Sequence, residues 1–308
     1  MTGPVTPFRC AAASRARGDE LAGTASTVRS FLLVEHAGSW GVDALRDARL
    51  PDGLGAHLAA EGRRHGVRVL LVRRPGARPE AGPTRVFAAR ASGPGSWLET
   101  ALLDSVDDVR DVDLPALGAG RPTGLDPMAG PLLAVCTHGR HDACCAELGR
   151  PVALGLAAGE HADAVWESSH VGGDRFAGNL VVLPRGLYYG GLDAHAAHAV
   201  ADATTDGRVV LDHLRGRSDL PMPVQAAEVA LRRRLGLTGL DDVRPLRPVT
   251  DGLTDGGMLT ARFEATGHGV VEVRVRRELS AASYQLTCSA TRDNSVPRYE
   301  VVDVRPAG

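Results

Sequence analysis

Three of the chain's five cysteines, Cys136, Cys144 and Cys145, fall within a ten-residue window of the stretch PLLAVCTHGRHDACCAELGRPVALGLAAGEHADAVWESSHVGGDRFAGNLVVLPRGLYYG, residues 131–190. That clustering is the strongest constraint in the sequence. Cys136 closes an apolar run that reads as a strand, and Cys144 and Cys145 stand near the start of a helix. The loop between them brings thiols together at the strand's C-terminal end. There the dipole of the adjacent helix N-terminus favours thiolates. Further on, His170 and Asp174 flank Val171-Gly172-Gly173 in a second loop after a strand. Glycine permits positive φ angles and close backbone approach, which suits a loop wrapped tightly round an object. Two sulfurs from one loop and two ligands from the other make a four-ligand pocket.

The rest of the composition narrows the chemistry. The 308-residue chain is 44% hydrophobic and 23% charged, as a globular protein is. Its formal net charge of −2 offers no basic field for nucleic acid. All 35 basic residues are arginine, and isoleucine is absent. Both biases fit a GC-rich bacterial genome. The lack of lysine excludes a Schiff base, a P-loop lysine and a lysine nucleophile. No run of about 18 apolar residues predicts a membrane span. MTGPVTPFRC lacks the apolar core of a signal peptide. Unevenly spaced cysteines do not suggest a disulfide framework, so the expectation is a cytoplasmic protein.

Read in order, the chain predicts a helix near Ala11–Arg17 and a buried strand over Phe31–Glu35. A helix over Leu54–His65 stops at Gly66, and strands follow at Val67–Val72, Thr84–Arg90 and Trp97–Leu103. Residues 104–130, acidic and then rich in Gly and Pro, read as a linker or long surface loop. The central unit runs strand Pro131–Val135, helix Cys144–Ala158 interrupted by Gly149-Arg150-Pro151, and strands Val165–Ser168, Leu180–Leu183 and Gly186–Tyr189. A helix capped by Asp193 completes it. That order matches a thioredoxin-like unit, and the first third shares it. The remainder predicts a helix over Val224–Leu235 with a basic face of Arg232, Arg233 and Arg234. Strands at Leu259–Ala265, Val270–Val275 and Ser283–Cys288 follow, with a turn around Glu278–Ala282. The expected fold is α/β in three units: a small N-terminal α/β unit (1–125), a thioredoxin-like domain (126–207), and a C-terminal helix with antiparallel strands (208–308).

Cys136 to Cys145 (C-T-H-G-x-x-D-x-C-C) and Ser169 to Asn179 (S-H-x-G-G-x-R-F-A-x-N) together resemble the sucrase/ferredoxin-like family. A weaker echo lies in Gly23-Thr24-Ala25 and in Leu32–Gly41, so the resemblance covers most of residues 8–200. It implies a thioredoxin-like [2Fe–2S] ferredoxin whose cluster is held by two cysteines and two histidines. Carried over, Cys136 and Cys145 are the cysteine ligands and His170 the first histidine. Asp174 stands where the second histidine is expected. If Asp174 ligates, the oxidised cluster site gains one negative charge over a two-histidine relative, and its potential is expected to be lower.

The resulting expectation is a one-electron carrier between a reductase and an acceptor protein, with no nucleic-acid or membrane partner. No residue is nominated for converting a substrate of its own. Two alternatives stay open: a structural Cys₂HisAsp zinc site, and a thiol–disulfide enzyme using Cys136 with Cys144 or Cys145, which lacks the C-x-x-C spacing. Sugar hydrolysis needs two flanking carboxylates, and no such pair can be picked out. Cys144 competes with Cys145 as ligand, and spacing favours Cys145. Cys10 and Cys288 read as small buried hydrophobes. His138, His141, Arg140 and Asp142 read as loop-orienting residues, Asn179 as a pin for the glycine loop, and Arg175 as a charge beside the ligand. His195 and His198 read as a solvated helix face.

Overall fold

The computed structural model describes residues 7–78, 82–246 and 255–307. Helix α1 (Cys10–Arg17) opens it and is stopped by Gly18 at φ +66°, where the N–H turns back onto the last carbonyls. Strand β1 (Ser30–Glu35), helices α2 (Ala44–Asp47) and α3 (Leu54–His65), and strands β2 (Val67–Arg73), β3 (Thr84–Arg90) and β4 (Trp97–Leu103) follow. Five of the six β1 residues are buried, as a strand covered on both faces requires. Strand β1 pairs parallel with β2 and antiparallel with β3, and β3 pairs antiparallel with β4.

The Gly/Pro-rich stretch is more structured than its composition suggests. It carries helix α4 (Leu114–Gly118) and the short edge strand β5 (Asp126–Pro127). Val109, Leu114 and Leu117 are buried against α3 and β1, so apolar anchors among the acidic residues tie it down. Next come β6 (Leu132–Cys136), α5 (Ala143–Ala157), β7 (Val165–Ser168), β8 (Leu180–Leu183), β9 (Leu187–Tyr189) and α6 (Ala194–Thr205). Helix α5 is not interrupted: Pro151 sits inside it. Gly149 is there for close approach, because a Cβ would collide with the Cys136 carbonyl at the end of β6.

Strand β6 pairs parallel with β7 and antiparallel with β8, which pairs antiparallel with β9. The order β9-β8-β6-β7 repeats the connectivity of β4-β3-β1-β2. The two halves join where β2 meets β7 antiparallel, at Val72↔Ser168 and Arg73↔Glu167. With β10 (Leu214–Arg217) at one edge and β5 at the other, this is one ten-stranded mixed sheet. The fold class is α/β. Strand periodicity divides β6 between two cores: Leu133 and Val135 pack against α5 and α6, while Leu132, Ala134 and Cys136 face the opposite side.

Helix α7 (Met222–Leu235) packs on a second, antiparallel sheet of β11 (Val243–Pro245), β12 (Met258–Ala265), β13 (Gly269–Tyr284) and β14 (Asn294–Pro306). Three expectations change here. No turn breaks the chain at Glu278–Ala282; β13 runs through with a register shift between Leu279 and Ser283, because the segment lacks a turn-forming Gly, Pro or Asn. Its partner is β14, and the strand expected over Ser283–Cys288 does not form: β13 ends at Tyr284 and Cys288 lies in the loop that follows. The α7 face is also less basic than its sequence. Arg232 is buried, paired with Glu228 at 2.9 Å and donating to the carbonyls of Gly239 and Leu240. Among the described residues no helix is long and apolar enough to cross a membrane.

Candidate metal centre

Cys136 is the last residue of β6, and its N–H donates to the Asn179 carbonyl at 2.9 Å. The chain then loops through His138 and His141 to Asp142. The Asp142 side chain caps α5 by accepting from the Cys144 N–H at 2.9 Å. The first turn of α5 carries Cys145 back toward β6. From the far side, the loop after β7 delivers His170 and Asp174. Ligand atoms of Cys136, Cys145 and His170 all lie within 4.8 Å of one another. The same holds for His141, His170 and Asp174, so His170 joins the two groups. Cys145 Sγ is 3.2 Å from Asp174 Oδ1, and His170 Nδ1 is 2.8 Å from that same oxygen.

The glycine loop has a built frame. Gly172 and Gly173 have φ of +98° and +81°, values that favour glycine. The Asn179 amide donates to the Gly173 carbonyl at 2.9 Å, as its place in the motif suggested. Arg215, from β10, was not foreseen. Fully buried, it donates to the Gly172 carbonyl at 2.9 Å, to Asn179 Oδ1 at 2.8 Å and to Thr24. That contact accounts for Gly23-Thr24-Ala25, a segment distant in sequence that steadies the site through Arg215. No local pattern marks Arg215, because its partners lie about forty and nearly two hundred residues away.

His138 orients the loop. Its Nε2 is 2.9 Å from the Gly41 carbonyl and its Nδ1 accepts from the His170 N–H at 3.2 Å. These partners assign the neutral tautomer protonated at Nε2, and burial accordingly lowers its pKa. His141 is closer to the site than its sequence context suggested. Its ring stacks on that of His170 at 4.0 Å between centroids, and its Nε2 is 3.9 Å from Asp174 Oδ2. Arg175, by contrast, turns away toward α1, 3.6 Å from Asp19 and over the Phe176 ring. His195 is exposed on α6, whereas His198 contacts the Gly155 carbonyl at 3.2 Å.

The adjacent cysteines part company. Cys145 faces Cys136 and His170, while Cys144 faces Cys10 and Cys288. The site's charges are coupled. Burial pulls the His170 pKa down, but contact with Asp174 and Cys136 outweighs it and raises the group to about 9. Burial works against the Asp174 carboxylate too, yet His170 and Cys145 hold its pKa below the usual range. Cys145 hydrogen-bonding, with His170 beside it, favours the Cys136 thiolate against burial, and Cys136 in turn, with burial, pushes Cys145 up.

A metal fits the donor set. Two sulfurs and an imidazole lie within 4.8 Å of one another, the Asp174 carboxylate adjoins Cys145 and His170, and the buried His170 Nδ1 has no hydrogen-bond partner. The sucrase/ferredoxin-like family model matches residues 21–216, which spans both loops and the Arg215 frame. The chain belongs to the sucrase/ferredoxin-like family. No curated protein and no solved structure matches it.

Proposed function

We propose that Cys136, Cys145, His170 and Asp174 hold a [2Fe–2S] cluster, and that the protein passes single electrons between a reductase and an acceptor protein. The supporting observation is the convergence of Cys136, Cys145 and His170 from two separate loops, within 4.8 Å, in a chain of this family. When bound, the cluster supplies one-electron chemistry. The protein's residues supply ligands, shielding and an exit. Cys136 and Cys145 are buried; His170, with 24% of its side chain exposed, and His141, with 35%, form the site's border with solvent. A partner docking there would come within reach of the His170 ring. Thiolate and neutral imidazole are the ligating forms, so loading releases protons and affinity rises with pH.

One observation favours a second reading. The donor atoms of Cys136, Cys145 and His170, within 4.8 Å of one another, also suit three ligands of a single tetrahedral ion, with Asp174 Oδ1, 3.2 Å from Cys145 Sγ, offered as the fourth, so a structural Cys₂HisAsp zinc site is the alternative. The as-isolated visible and electron paramagnetic resonance spectra decide between them, with iron, sulfide and zinc analysis on the same sample. A brown protein with iron and sulfide in equal amounts is expected. A colourless protein with zinc lost in Cys136→Ala overturns the cluster.

A further inference from the structure

Three cysteines remain outside that site, and they meet. Cys10 opens α1, Cys144 lies in the first turn of α5, and Cys288 lies in the loop between β13 and β14. The Cys144 and Cys288 sulfurs are 3.4 Å apart, and the Cys288 and Cys10 sulfurs 3.6 Å. Asp142 completes the group, its two carboxylate oxygens 3.6 and 3.5 Å from the Cys10 sulfur. All four donor atoms lie within 4.8 Å of one another. The geometry points to a second metal site, a structural zinc held by Cys10, Cys144, Cys288 and Asp142.

The shortest separations are near those of a tetrahedral centre. With zinc–sulfur bonds of about 2.3 Å and zinc–oxygen bonds of about 2.0 Å, tetrahedral edges are about 3.8 Å for S···S and about 3.5 Å for S···O. The observed separations of 3.4–3.6 Å approach those values without rearrangement. A disulfide would join two of the sulfurs and leave the third thiol unpaired beside the carboxylate. Soft thiolates in a four-donor set select zinc over magnesium or calcium. The carboxylate is also oriented as a ligand should be: Oδ1 accepts from the Cys144 N–H at 2.9 Å and Oδ2 from the Cys288 N–H at 2.6 Å. Cys10 and Cys144 are buried and Cys288 half-buried, so the site is closed, as structural zinc sites are.

The role follows from where the ligands originate. An ion here fastens α1 and the β13–β14 loop to the first turn of α5, closing two long stretches of chain on one point. At this junction Arg9 pairs with Glu147, Arg17 lies over the Tyr284 ring at 4.6 Å, and Cys10 and Ala11 pack against Cys144, Leu148 and Cys288. Since Cys144 and Cys145 are neighbours, the same ion steadies the turn that presents Cys145 to the other centre.

Metal analysis of the full chain, produced with both zinc and iron available, tests this. Wild type is expected to carry one zinc per chain. That zinc should fall at least about tenfold in Cys10→Ala and in Cys288→Ala with iron retained, and Cys136→Ala should lose iron and keep zinc. Should the alanine variants fail to fold, alkylation of native wild type with peptide mapping replaces them. Cys10, Cys144 and Cys288 should be shielded until a zinc chelator is added. The proposal is overturned by zinc content unchanged in both variants, by no zinc in wild type, by alkylation indifferent to the chelator, or by a Cys144–Cys288 disulfide in the unreduced peptide map.

Discussion

The Nδ1 atom of His170 stands 2.8 Å from Oδ1 of Asp174, four residues later in the same glycine loop. The carboxylate occupies the position where the family resemblance places a second histidine. From there it meets both His170 and Cys145.

That placement sets the expected redox behaviour. An anionic ligand in place of a neutral imidazole stabilises the oxidised cluster. Exchanging two thiolates for two imidazoles separates plant-type from Rieske potentials by roughly 250 mV or more, so Asp174→His is expected to raise the potential by on the order of 100 mV. A spectroscopic redox titration of both proteins checks it. An equal or lower value in the variant would exclude Asp174 as a charged ligand.

Arg215 holds the loop rather than the metal. Arg215→Met leaves the Gly172 carbonyl and Asn179 Oδ1 without their donor, at a cost of about 3 kcal/mol or more. Thermal unfolding should shift down and iron content should fall. Arg215→Lys should recover little, because one ammonium cannot reproduce a fork that reaches Gly172, Asn179 and Thr24. A lysine variant as stable as wild type would refute this role.

Two glycines with similar backbones separate strain from crowding. Gly173 and Gly191 have φ of +81° and +66°; a Cβ on Gly173 would strike the Arg215 guanidinium, whereas one on Gly191 meets open space. Gly191→Ala is expected to cost about 1–2 kcal/mol from the left-handed backbone alone. Gly173→Ala should cost more and also reduce metal loading. Urea unfolding with iron analysis measures both, and equal costs with full loading would count against the cradle.

His36 gives the fold an acid-sensitive element away from the candidate metal centre. Burial first, and Arg73 second, lower its pKa, and its buried Nε2 has no hydrogen-bond partner. The unfolded chain therefore takes up a proton below its own histidine pKa of about 6.5 while the folded chain resists it. Stability from this residue is complete above that pH and is lost as pH falls below it. Urea midpoints should drop between pH 7.5 and 5.5, and less so in His36→Gln. An identical drop in both proteins would assign the slope to other groups, such as His138.

Much of the fold was legible because its signals are local. Leu54–His65, Thr84–Arg90, Trp97–Leu103 and Val165–Ser168 form as their periodicity predicts, with Gly66 and Asp193 at the helix ends expected of them. The misses fall where long-range packing overrides composition. Apolar anchors order residues 106–118 inside an acidic, glycine-rich stretch, and pairing with β14 carries β13 through Glu278–Ala282.

Sequence alone nominated the members of the candidate site: the resemblance carried by the C-x₈-C and S-H-V-G-G-D segments proposes Cys136, Cys145, His170 and Asp174 without any structure. What it could not decide was direction. Successive helical residues point about 100° apart, so Cys144 and Cys145 must face different neighbours, but which neighbours depends on where β6 and α1 pack against α5. Only the tertiary structure turned Cys145 toward His170, gathered Cys10 and Cys288 around Cys144, and set Arg215 beneath the glycine loop. Those contacts join segments up to 278 residues apart, and no local pattern encodes such a meeting.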